Sequence, residues 1–189
     1  MMLLASAGCS NEPDSGGSRR VASTSTSTSG PSSVTTATEA PQGPVIEVEL
    51  SEDGFLGLPD EVDVGTRIGA VNRSEAEMHE FIAFRLPDGE TRSSGELAAL
   101  SDDDLVRVLG AAIPDVIQVA PPGESAIKGL GDAVFEVPGR YLVLCTVPVG
   151  ADPALLLASD RYTTGRWPDQ YQDSPSHAKR GEHDDVIVR

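Results

Sequence analysis

An all-β antiparallel sandwich is the fold class this sequence predicts, and three observations predict it. Apolar and polar residues alternate over short runs, as in Ile46, Val48 and Leu50 against Glu47 and Glu49. Turn-forming clusters separate those runs, among them Pro87-Asp88-Gly89, Pro121-Pro122-Gly123 and Pro138-Gly139. Aromatic residues make up only 4% of the chain, so the core must come mainly from Val, Leu, Ile and Ala on strand faces. Many short strands at close spacing stack as two sheets.

The first strand, around Ile46 to Leu50, is succeeded by Pro59 and a short strand at 61–64, which Gly65 breaks. A strand at 66–72 ends in the turn Asn72-Arg73-Ser74, and 78–86 is a longer apolar strand. Residues 95–109 change character. Ser101 followed by Asp104 resembles a capping box with Asp in place of Glu, and Asp102 and Asp103 favour a helix start. Leu105, Val108 and Leu109 keep helical spacing, so one or two short helices are inserted between strands. Strand patterns return at 116–119, 126–130, 134–137 and 141–145. Residues 154–159 suit a short helix, 161–185 read as a long loop, and 186–188 as a closing strand.

The charge and the N-terminus bound the setting. With 30 acidic against 14 basic side chains, the net charge of −16 repels nucleic acid and anionic head groups. It suits a basic protein partner or simply solubility. No stretch approaches the roughly 20 apolar residues of a membrane span. Residues 1–9, MMLLASAGC, resemble the end of a bacterial lipoprotein signal, although Ser6 stands where that group usually has an apolar residue. The resemblance implies acylation at Cys9 and an extracytoplasmic protein held on the cell membrane by lipid. The other reading is an ordinary N-terminus with a chance cysteine. Residues 10–43 are rich in Ser, Thr, Gly and Pro, bury almost nothing, and read as a disordered linker. Its root-mean-square span is about 30–35 Å. The folded domain is expected at 44–189, as a monomer.

Cys145 is the residue that points to chemistry. The chain has 2 cysteines, and with Cys9 committed to lipid, Cys145 has no partner for an internal disulfide. Tyr141, Val143 and Cys145 alternate behind Pro138-Gly139, so a strand sends all three to one face. A metal thiolate explains such a thiol, and so does a small buried hydrophobe. His79 reads as a ligand or as a strand histidine bonded to a carbonyl, and His177 as a ligand or a surface histidine.

Three segments together resemble the cupredoxins, the plastocyanin and azurin group of small copper sandwiches, over about residues 44–189. Asn72 with Met78-His79-Glu80-Phe81 is similar to the strand bearing that group's first histidine ligand. Pro138-Gly139-Arg140-Tyr141-Leu142-Val143-Leu144-Cys145 is similar to the strand bearing its cysteine. His177-Ala178-Lys179-Arg180-Gly181-Glu182 is similar to the segment with the second histidine and an axial methionine. The resemblance implies a Greek-key sandwich with one mononuclear copper held by His79, Cys145 and His177. It further implies electron transfer or copper handling with an unidentified redox protein, and no enzymatic activity.

Two departures matter. The Cys145-to-His177 loop is long, and Glu182 stands where methionine is expected. A carboxylate is a harder ligand that favours Cu(II), lowers the potential, and also suits Zn(II). His183 competes with Glu182 as fourth ligand, and an empty, metal-free interaction module is the alternative. Met78 is a poor axial candidate, because neighbouring strand residues face opposite ways. Other chemistries lack support: there is no Gly-rich phosphate loop and no His-Glu-x-x-His, and no oxyanion-hole motif accompanies a Cys145–His pair.

Overall fold

The computed structural model describes residues 43–110, 113–128 and 133–189. Cys9 and the linker expected at 10–43 lie outside them, apart from Gly43. Among the described residues, nine strands form two sheets. Strands β1 (Val45–Ser51), β2 (Gly54–Leu56) and β4 (Arg67–Asn72) make a small sheet in the order β2-β1-β4. The large sheet holds β3 (Glu61–Val62), β5 (His79–Arg85), β6 (Val116–Ala120), β7 (Ile127–Lys128), β8 (Gly139–Leu144) and β9 (His183–Val188). Its order is β3-β9-β8-β5-β6-β7. The expected two-sheet β architecture is therefore present, with a mixture of pairings. β5–β6, β5–β8, β6–β7 and β8–β9 are antiparallel, whereas β1–β4 and β3–β9 are parallel.

The alternation in β8 sorts its side chains into two cores. Tyr141, Val143 and Cys145 join the cluster between the sheets, with Val48, Leu50, Phe81, Phe135 and Val186. Leu142 and Leu144 face the other way and pack with Leu86, Leu97, Ala98 and Ala178. That second face is roofed by the inserted helices α1 (Ser94–Ala98) and α2 (Asp102–Leu109). The large sheet is thus covered on both sides, which is why its central strand reads as continuously apolar. Each fully buried Leu, Val or Phe there contributes about 1.5–3 kcal/mol.

Local chemistry explains the helix ends. Ser93 and Glu96 form a complete capping box on α1, which the sequence reading passed over. Ser101 caps α2 as expected, accepting from the Asp104 N–H at 3.2 Å. Its hydroxyl then donates to the Asp104 side chain at 2.6 Å, so the reciprocal bond of a full box is not the one made.

Three sequence expectations are corrected. Residues 134–137 form no strand: Val134 makes one isolated bridge to Arg67. Of the pattern at 126–130, Ile127–Lys128 form β7 and Ala126 stays outside it, whereas 129–130 lie outside the described residues. The segment 161–185 is more structured than a loop. It holds helix α4 (Arg161–Thr164), 3-10 turns at Asp169–Tyr171 and His177–Arg180, and the first half of β9. The helix expected at 154–159 is α3 (Pro153–Leu157), capped by Asp152.

The chain from Val147 to Ser176 leaves the sheet and returns to the same place. Its base is closed by bonds from the His177 N–H to the Val147 carbonyl at 2.9 Å and the Val149 N–H to the Pro175 carbonyl at 3.0 Å. An antiparallel bridge between Pro148 and Ser176 lies between them. Trp167 and Tyr171 from this excursion pack against the main core, with the Arg161 guanidinium over the Trp167 ring.

Candidate metal centre

Three separate segments bring four ionisable side chains to one end of the sandwich. His79 opens β5, Cys145 comes directly after the last residue of β8, and His177 and Glu182 flank the turn that leads into β9. The register makes the meeting obligatory. Leu144 sits opposite His183, and one step further the Cys145 N–H donates to the Glu182 carbonyl at 3.1 Å. The Ala178 N–H donates to the Cys145 carbonyl at 2.8 Å, and the Glu182 N–H to the His177 carbonyl at 3.2 Å. Gly181 takes φ 116° between them, a conformation that glycine adopts without strain.

The approach to His79 is braced by Asn72. Its buried amide donates to the carbonyls of Glu77 and Ala120 at 2.8 and 2.9 Å, and its oxygen accepts from the Ser74 N–H at 2.8 Å. The turn before β5 is therefore fixed by side-chain bonds to its main chain.

All four side chains are buried, and one ligand atom from each lies within 4.8 Å of the others. Cys145 Sγ is 3.5 Å from His177 Nδ1 and 3.9 Å from His79 Nδ1. The Glu182 carboxylate spans the imidazoles, with Oε2 at 2.8 Å from His79 Nδ1 and Oε1 at 3.4 Å from His177 Nδ1. The two rings lie 4.7 Å apart, centroid to centroid. Both imidazoles thus turn the same nitrogen, Nδ1, toward the sulfur.

Burial, and then the nearby Glu182 and Glu80 carboxylates, push the Cys145 thiol well above its ordinary range. Backbone N–H groups of Glu80 and Val147 oppose this, and the Glu80 bond to Sγ measures 3.3 Å. Those donors are oriented to serve a thiolate, but protein groups alone leave it unfavourable. A bound cation would supply the missing charge.

The donor set fits a metal ion. With usual metal–sulfur and metal–nitrogen lengths, S and N around one ion sit roughly 3.6 Å apart. The two observed S–N separations, 3.5 and 3.9 Å, bracket that spacing. Two imidazoles, a thiolate and a carboxylate complete a four-ligand set.

The remaining residues singled out in the sequence lie elsewhere. His183 turns away on β9, with Nδ1 3.3 Å from the Ser94 hydroxyl. Met78 is fully buried in the main core. Sequence reading missed Glu77, whose carboxylate reaches His177 Nε2 at 2.5 Å. It also missed the buried Glu80 side chain, which accepts from the Thr146 hydroxyl at 2.7 Å. No pattern could reveal Glu77, because it lies in a turn. Its position two residues before His79 was the only signal.

The architecture and site define a two-sheet β domain with a buried His-Cys-His-Glu cluster. Neither a protein-family model nor a curated protein matches the chain. Among solved structures it is similar to cupredoxins. Auracyanin A, described as a blue copper protein from Chloroflexus aurantiacus, is 16% identical with a TM-score of 0.42, the alignment covering 78% of this chain and 100% of that one. Auracyanin from Roseiflexus castenholzii is 14% identical with a TM-score of 0.39, covering 78% of this chain and 98% of that one. Rusticyanin from Thiobacillus ferrooxidans is 11% identical with a TM-score of 0.37, covering 77% and 76%. At such scores the likeness is descriptive, and the functional reading rests on the geometry of the four side chains.

Proposed function

We propose that the domain binds one mononuclear copper ion through His79, Cys145 and His177, with Glu182 as fourth ligand, and transfers electrons. One observation carries this reading: four buried donor atoms from segments remote in sequence converge within 4.8 Å. Copper cycling between Cu(I) and Cu(II) uses two imidazoles and a thiolate, with a weaker fourth ligand that tunes the potential. A ligand set mounted on strand ends and braced by main-chain bonds also limits rearrangement between oxidation states. The purified protein is expected to take up one equivalent of Cu(II) and to develop an intense visible thiolate-to-copper absorption. Uptake without that band, or a band that persists in Cys145→Ala, overturns the assignment.

One observation favours a second reading, a metal-free interaction module. The Glu182–His79 contact at 2.8 Å already satisfies two buried polar groups with each other. Failure to bind copper or zinc would select it. Zinc uptake in preference to copper, with no visible band, would show that the carboxylate governs the choice of metal.

The site's setting is part of the proposal. Acylation at Cys9 would hold the domain outside the cytoplasm on the membrane surface. No helix among the described residues is long and apolar enough to cross a membrane. Incorporation of labelled fatty acid that disappears in Cys9→Ala supports the anchor, and unchanged incorporation excludes it.

A further inference from the structure

His177 has two ring nitrogens with opposite surroundings. Nδ1 faces the sulfur of Cys145 and Oε1 of Glu182. Nε2 points away from them, is buried, and has Glu77 Oε2 at 2.5 Å. The contact is a close charge–dipole pairing and not a hydrogen bond, and no hydrogen-bond partner reaches that nitrogen among the described residues.

Glu77 is held where it is needed. Its carbonyl accepts from the Asn72 amide at 2.8 Å, and its N–H donates to the Ser74 hydroxyl oxygen at 3.0 Å. Its side chain is 29% exposed, so it forms the outer wall of the cluster. His79 Nε2 is likewise buried without a hydrogen-bond partner among the described residues.

A neutral imidazole carries one proton, and the partner of one nitrogen decides which nitrogen keeps it. A carboxylate beside Nε2 holds the proton there and leaves the Nδ1 lone pair facing inward. We infer that Glu77 is a positioning residue, which sets the tautomer and ring orientation of His177 so that Nδ1 presents its lone pair to the Cys145 side. The consequence for copper affinity rests on the proposed function, whereas the choice of tautomer does not.

The experiment reads both. Nitrogen-15 NMR of the imidazole rings, on metal-free protein with neutral rings, is compared among the wild type, Glu77→Ala and Glu77→Asp. Glu77→Leu keeps the bulk without the charge and serves if the alanine variant does not fold. Copper affinity is measured in parallel by competition with a chelator, using Cu(II) alone as the probe. His177 of the wild type is expected to carry its proton on Nε2. Removing the carboxylate should abolish that preference and weaken copper binding about 10–100-fold, the usual effect of losing an outer partner of a metal-bound histidine. Glu77→Asp should restore part of both. An unchanged tautomer in Glu77→Ala or Glu77→Leu overturns the inference, whatever the affinity does. If the wild type binds no copper, the proposed function falls while the ring-nitrogen measurement still decides the role of Glu77.

Discussion

Replacing Cys145 by Ser separates the sulfur's role as a ligand from its role as a packed atom. The serine oxygen can still accept from the Glu80 N–H that reaches Sγ at 3.3 Å, so the main-chain donors keep an acceptor. Putting a hydroxyl into this buried position costs about 1–3 kcal/mol. Unfolding entropy of about 2.1 cal/mol/K per residue, over a domain of this length, amounts to about 0.3 kcal/mol/K. The metal-free variant should therefore melt about 3–10 °C below the metal-free wild type. Copper supplied at 100 times its dissociation constant stabilises the wild type by about 2.7 kcal/mol, a rise of about 9 °C. Losing a direct ligand weakens binding at least as much as the ~100-fold that an outer partner can cost. At the same copper concentration the variant would gain about 0.4 kcal/mol, or about 1 °C. Differential scanning calorimetry, run on each protein with and without copper, gives all four midpoints. Equal copper-induced rises in the two proteins would refute the reasoning, and so would no rise in the wild type.

Glu182→Met exchanges a hard ligand for a soft one, so cyclic voltammetry should show a higher copper potential than in the wild type. An unchanged or lower potential would mean that Glu182 does not touch the metal. Phe81, fully buried and packed edge-on against Phe55, should cost about 3–5 kcal/mol as Phe81→Ala, measured by urea unfolding of the metal-free protein. The Tyr141 hydroxyl is raised above its ordinary value of 10.0 by burial and by its hydrogen bond to Asp115. An acid with a raised folded value contributes stability that is complete below its unfolded value and is lost as pH climbs past it. Stability should thus decline above about pH 10 in the wild type, and Tyr141→Phe should flatten that part of the profile.

The sequence showed the site's elements better than its supports. Alternation in Tyr141, Val143 and Cys145 announced a shared face because strand geometry allows no other outcome over three such positions. The same rule made Leu142 and Leu144 legible as the opposite face, but not as a second core, since the helices that roof them lie some forty residues earlier in the chain. Strand β2 escaped notice because three residues are too few to display alternation. The parallel pairing of β1 with β4 depends on which edges meet in space, and hydrophobic pattern carries no sign for direction. Glu182 stood out because it replaced an expected residue type. Glu77 did not, because a turn glutamate in an acidic chain resembles every other one until folding sets it against His177.

The pinched base of the Val147–Ser176 excursion separates the placing of His177 from the core packing of Leu156, Trp167 and Tyr171 farther along it. Because both ends are pinned to one another before the chain reaches His177, nothing beyond that neck has to be of a particular length to keep the histidine beside the sulfur. Doubling such a loop costs only about 0.6 kcal/mol in chain entropy. The excursion's exposed stretches can be trimmed or extended while the side chains packed on the core stay, and the chemistry beneath keeps its shape.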